Sequence, residues 1–192
     1  MLRKEEDAIF TWPLWGLMAL MAATRFHHFG DLRTLPDASL AVFFLAGLFV
    51  ANPWAFVILL IEAGLIDYLA IHFGGVSGWC VTPAYLFLIP TYGILWLGGR
   101  RSRGFSPDTV TGIVSTLGAV LVAAMLAFLL SNAGFYLLSG YFDGLGPVEY
   151  STRVVSYLPP YLMSTFTYSA LVLAGLWLWR HLSAPGPALP HK

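Results

Sequence analysis

Apolar positions along this chain come in long unbroken runs. Strict alternation and one-sided stripes are both missing. A helix needs about 20 apolar residues to cross the hydrocarbon core of a bilayer. The first run extends from about Ile9 to Phe26, with Trp12, Pro13 and Trp15 at its start. Trp favours the membrane interface, and Pro is tolerated in a first helical turn. The second run, Ala38 to Ala51, is short for a full span and is expected to start earlier or lie partly buried. Asn52-Pro53 turns the chain into the third run, about Pro53 to Ile71, which carries Glu62 and Asp67. The fourth, Pro83 to Gly99, contains Pro90, where a kink is expected. Ser106-Pro107-Asp108 marks the start of the fifth, which reaches Leu138 and exceeds what a bilayer requires, so tilt or a projecting end is expected. Ser139 to Thr152 reads as a loop, and the last helix is expected to begin near Pro159-Pro160 and end at Trp177, Trp179 and Arg180.

Composition agrees with this pattern. The 192 residues are 58% hydrophobic and 10% charged, with a mean hydropathy of +0.73; a soluble domain is about 25% charged. The expected architecture is an all-α membrane protein. One six-transmembrane-helix bundle would cover 1–182, followed by a Pro-rich tail at 183–192 that is expected to be disordered. No small-residue cleavage site follows the first run, which therefore reads as a retained helix. Net charge is zero, so nothing argues for nucleic acid. Arg3, Lys4, Arg100, Arg101, Arg103, Arg180 and Lys192 fall on one side of the helices, and Arg25, Arg33 and Arg153 on the other. The positive-inside rule then places both termini in the cytoplasm. The loops near His28, Cys80 and Asp143 face outward, which predicts a site open to the outside.

The connection His72-Phe73-Gly74-Gly75-Val76-Ser77-Gly78-Trp79-Cys80-Val81-Thr82-Pro83-Ala84-Tyr85 holds the single cysteine of the chain. One cysteine excludes an internal disulfide and any multi-cysteine metal site. A thiolate is a soft ligand and a nucleophile, so Cys80 is either idle or the centre of the chemistry. Ionisable groups inside a span are costly and normally face the bundle or a cavity. Asp67 lies toward the outer end of its helix and can point at the same cavity as Cys80; Glu62 lies nearer mid-membrane. Either one is alternatively a paired carboxylate tying helices together. Arg153 precedes the last helix and is expected to pair with a ligand acid or with Asp67. Tyr85 and Trp79 suit a site wall. Gly74, Gly75 and Gly78 leave room for the loop to fold over a bulky ligand. His27 and His28 end the first helix, and His72 ends the third. A haem site using His28 or His27 with His72 is one alternative. Ala19 and Ala23 form a small-xxx-small pair, and Ala119, Ala123 and Ala127 another; internal packing is the usual reading of both. Gly75-Val76-Ser77-Gly78 is similar to the nucleophile motif of rhomboid proteases. The two later helices, however, contain no histidine to serve as base, which sets that reading aside.

Six helices in this length, an outward binding face, and the Ala19/Ala23 pair resemble the S-components of energy-coupling factor (ECF) transporters. The loop Gly78-Trp79-Cys80-Val81-Thr82-Pro83-Ala84-Tyr85, with His28, Asp67 and Arg153 disposed around it, is similar to the BtuM family of solitary, S-component-like cobalamin transporters of Gram-negative bacteria. The resemblance implies an ECF S-component-like fold in the bacterial inner (cytoplasmic) membrane and cobalamin uptake. It implies Cys80 as axial ligand to the cobalt of cobalamin, with removal of cyanide from cyanocobalamin. It implies His28, Asp67, Trp79, Tyr85 and Arg153 as substrate-binding residues. It also implies docking of Ala19 and Ala23 on an ECF module, although members of this group work without a dedicated one. The chain has no Gly-x-x-x-x-Gly-Lys-Ser/Thr loop and hence no ATP site of its own. An S-component for another vitamin, with Cys80 idle, is a further alternative.

Overall fold

The computed structural model describes residues 12–26, 35–50 and 52–183. Its elements are α1 (Trp12–Arg25), α2 (Ser39–Phe49), α3 (Pro53–Phe73), α4 (Leu88–Ser102), α5 (Val110–Leu138), α6 (Pro147–Val154) and α7 (Leu158–Ser183). Short 3-10 turns lie at Gly78–Cys80, Pro83–Phe87 and Val155–Tyr157. No strand occurs among the described residues. Helices satisfy every backbone group within one segment, the solution that an apolar solvent demands.

Three stretches are long and apolar enough to cross a membrane: α3 (21 residues), α5 (29 residues) and the continuous α6–α7 stretch from Pro147 to Ser183 (37 residues). They mark the chain as a membrane protein. Their outward faces are apolar, as Ile61, Leu65, Val114, Val122, Leu126 and Leu171 are all exposed.

The short second run has a clear fate. α2 is only 11 residues long, and eight of them, including Phe43, Phe44 and Leu45, are buried. It runs through the middle of the bundle with α1, α3, α4 and α7 around it. A helix covered on every side has no polar face to keep, which is why its sequence is apolar all round. α4 lies against α2 at backbone distance. A Cβ on Gly47 would collide with the Trp96 carbonyl, and one on Gly99 with the Phe44 carbonyl. Small residues admit this approach and the dispersion contacts that come with it. Phe43 fills the next layer, stacked on Tyr92 with ring centroids 4.1 Å apart.

One expectation about proline is corrected. Pro90 does not sit mid-helix. It is the third residue of α4, where its missing N–H is one that the first turn leaves unbonded in any case. Pro159 and Pro160 do fall in the first turn of the last helix, α7, as expected, and a short additional helix, α6, precedes it from Pro147. The expected loop from Ser139 to Thr152 is therefore shorter, and Arg153 is helical.

Candidate functional site

The cysteine connection is built from two capped turns placed back to back. α3 ends at Gly74, and Gly75 takes φ +69°. That left-handed residue reverses the chain so that the Val76 N–H returns to the Ala70 carbonyl at 3.1 Å. Ser77 Oγ then accepts from the Trp79 N–H (3.3 Å) and starts the turn Gly78–Cys80. Thr82 Oγ1 accepts from the Ala84 N–H (3.2 Å) and starts the turn Pro83–Phe87. Cys80 sits between the two caps, half-buried and without a disulfide partner. The glycines serve packing as well as reversal: a Cβ on Gly74 would meet the Phe26 ring at 2.7 Å. Ser77, the residue of the protease-like motif, is thus a cap.

Trp79 anchors the turn to the end of α5. It stacks on Tyr141 (centroids 4.7 Å, 6° between planes) and meets Phe135 edge-on at 5.2 Å. The Tyr141 hydroxyl donates to the Trp79 carbonyl at 3.2 Å. The cysteine turn and the connection after α5 therefore share one end of the bundle, as the loop assignment expects. One face of the Trp79 indole is already covered, and the side chain is still 52% exposed.

A buried ionic network joins four helices within electrostatic reach of Cys80. Arg25, the last residue of α1, is 4% exposed, and Asp67 of α3 is 5% exposed. They form a two-pronged pair, Nε to Oδ1 at 2.8 Å and Nη2 to Oδ2 at 2.7 Å. The planar guanidinium matches a carboxylate in this fork geometry. Arg25 Nη1 also donates to Ser39 Oγ of α2 (2.9 Å) and to the Tyr92 hydroxyl of α4 (2.7 Å). Asp37 stands 3.6 Å from the same nitrogen and accepts from both the N–H and the hydroxyl of Ser39. The Tyr85 hydroxyl donates to Asp67 Oδ2 at 2.5 Å. A cleft of about 240 Å³, walled by Leu60, Ile89, Tyr85, Tyr92 and Arg25, opens beside this network.

The network reaches the thiol. Burial pushes the Cys80 thiol above its usual range, and the negative charge of Asp67 adds to the shift. Cys80 is therefore a neutral thiol at neutral pH, and ligation through its sulfur requires loss of a proton.

The residues expected to form one site divide into groups. Asp67 and Tyr85 meet directly, and Cys80 lies within reach of the Asp67 charge. Trp79 is held on the same turn as Cys80. Arg153 does not pair with Asp67: it is exposed on α6 and bonds Glu149 at 2.6 Å, one helical turn away. Arg25 occupies the place beside Asp67 that Arg153 was expected to take. His28 and His27 lie outside the described residues. His72 is exposed, its Nδ1 engaged with the Tyr68 carbonyl at 2.9 Å and its ring stacked on Tyr68. Ala19 and Ala23 do not pack internally; both are exposed on α1, next to exposed Trp12 and Trp15. Ala123 and Ala127 are buried, as expected of internal packing. Glu62 is partly buried, and its Oε2 has no hydrogen-bond partner among the described residues.

Sequence reasoning missed Arg25, Tyr92, Ser39 and Asp37. The signal that was present is the cost of a carboxylate in a span: Asp67 needed a cation near the same depth, and Arg25 closes the first run. No group of three or more His, Cys, Asp or Glu side chains is placed to hold a bare metal ion among the described residues. No protein-family model matches this chain, and no functionally described protein shows significant sequence similarity to it.

Proposed function

We propose that this chain is a six-span, S-component-like cobalamin transporter that takes up its substrate through Cys80. The observation that carries this reading is the placement of the lone thiol. It is half-buried on a doubly capped turn at one end of the bundle, within reach of the Asp67 charge in the Arg25–Asp67–Tyr85 network. By the distribution of arginines that end faces outward, and both termini are cytoplasmic. The cleft at the network is below the range of about 300–1,000 Å³ typical of pockets for drug-sized ligands, so a corrinoid lies over the turn rather than inside this cleft. His28, Trp79, Tyr85 and Arg153 contribute polar and aromatic contacts around the corrin rim, with Asp67 holding Tyr85 in place.

The chemistry is a ligand exchange. The Cys80 thiol loses its proton, its sulfur displaces cyanide at cobalt(III), and the proton leaves with the cyanide as hydrogen cyanide. Cobalt keeps its oxidation state throughout. The exposed Ala19/Ala23 face of α1 is free to meet an ECF module, and without one the trapped product drives net uptake.

Purified protein mixed with cyanocobalamin tests the reading. The wild type should shift the cobalt absorption bands and release cyanide, and Cys80→Ala should do neither. An unchanged spectrum in the wild type, or equal cyanide release by Cys80→Ala, rejects the ligand role. One observation favours a second reading, a carrier for another vitamin with Cys80 idle: the environment raises the thiol pKa instead of lowering it. Calorimetric titration with several vitamins separates the two.

A further inference from the structure

The end of the bundle away from Cys80 is built differently. α4 finishes in Arg100, Arg101 and Arg103, and α7 finishes near Arg180. All four arginines are exposed. Among the described residues a single carboxylate stands with them, Asp108, which bonds Arg180 at 2.9 Å. Arg100 lies over the Trp96 ring at 4.7 Å. Arg103 has no carboxylate partner among the described residues.

Between these chain ends lies a cleft of about 150 Å³. Its rim carries Arg103 and Arg180, and its walls are apolar, with Phe105, Ile113, Leu173 and Trp177 among them. The two arginines come from different helices and border the same apolar slot. We infer that this cleft is a binding site for an anionic phospholipid. The headgroup phosphate sits between Arg103 and Arg180, and only the first methylenes of an acyl chain enter the slot between α5 and α7, the rest of the chain lying in the surrounding bilayer. Guanidinium groups match phosphate oxygens in paired geometry. Basic pockets between membrane helices on the arginine-rich side are where anionic headgroups bind. A second copy of this chain does not fit that chemistry, because the rim would meet its own positive charge. The inference rests on the chain being a membrane protein and is independent of what Cys80 binds.

Native mass spectrometry of the full-length protein released from detergent micelles provides the test. Phosphatidylglycerol, phosphatidylcholine with the same chains, and inorganic phosphate are the probes. Phosphatidylglycerol should be retained well above phosphatidylcholine. R103Q/R180Q should weaken it by about tenfold or more, since each surface arginine near an anionic headgroup contributes a several-fold factor. R100Q/R101Q, which removes the same charge outside the cleft, should keep most of the binding. D108N leaves both rim arginines in place and should bind at least as tightly as wild type, so it decides the matter if R103Q/R180Q misfolds. Equal retention of the two lipids, unchanged binding in R103Q/R180Q, or weaker binding in D108N overturns the site. Inorganic phosphate competing as well as the lipid overturns it as a lipid site and leaves a free-anion site.

Discussion

Glu62 and Asp67 stand five residues apart on the same membrane-crossing helix, yet the bundle treats them in opposite ways. Asp67 is met by a two-pronged arginine from α1 and by a tyrosine hydroxyl from the turn before α4. Glu62 offers a buried oxygen that nothing among the described residues meets. A helix turns by about 100° per residue, so five residues carry a side chain well around the axis and onto a different neighbour. Chemical type alone says nothing about which carboxylate is fastened. The difference teaches that α1 to α4 are joined by polar contacts at one level, that of Asp67, and pack through apolar surface elsewhere.

The strongest way to break this contrast is at the arginine. Arg25→Met takes the guanidinium away from buried Asp67, a loss of about 3–5 kcal/mol by analogy with other broken buried pairs. Unfolding of the detergent-solubilised protein should show it as a large drop in midpoint. Arg25→Met combined with Asp67→Leu replaces both partners by apolar groups and should recover most of the loss. If the double variant is as unstable as the single one, the network does more than neutralise its own charges.

A smaller effect reads the contrast through the thiol. Burial and the Asp67 charge both favour protonated Cys80, so thiolate forms only at a pH above the ordinary cysteine range. Alkylation of Cys80 and its ligation to a metal should therefore accelerate with rising pH and still be climbing at pH 8.5, where a free cysteine is about half ionised. Asp67→Asn removes a negative charge and leaves Arg25 in place. Loss of the negative charge favours thiolate, so alkylation at pH 8 should speed up several-fold. Glu62→Gln should leave that rate where it was. A rate in Asp67→Asn equal to wild type places the thiol outside the reach of the network.

The smallest change is expected at Glu62 itself. Burying a carboxylate in a span is costly, and Glu62→Gln removes a carboxylate oxygen that has no hydrogen-bond partner among the described residues. Its unfolding midpoint should stay within about 0.5 kcal/mol of wild type or rise. A drop like that of Arg25→Met would mean that Glu62 is held by residues outside those described.

Much of the scaffold was readable in the chain. Pro53 and Asn52 announce α3, and Asn52 Oδ1 does accept the Trp54 N–H at 3.0 Å. Asp67 and Tyr85 meet because a connection of fewer than ten residues, which carries Cys80, joins α3 to the turn that holds Tyr85. The expected pairing of Arg153 with Asp67 failed for the opposite reason: a glutamate one helical turn away outcompetes a distant aspartate, and only a helix starting at Pro147 brings Glu149 and Arg153 together. Ala19 and Ala23 were read as packing residues, yet α1 turns Leu14, Leu17 and Met21 inward and leaves the alanines outside.

Hydropathy and local turn chemistry are properties of neighbouring residues, so the sequence by itself determined the helices, their apolar character, the caps on either side of Cys80 and the end of the bundle where it lies. The pairing of Arg25 with Asp67, the passage of α2 through the centre over Gly47 and Gly99, and the isolation of Glu62 were decided only by the tertiary structure. Each of these depends on the rotation and depth of one apolar helix against another. A helix that is apolar on every side carries no stripe to specify that rotation, and the polar groups find their partners only once the helices have packed.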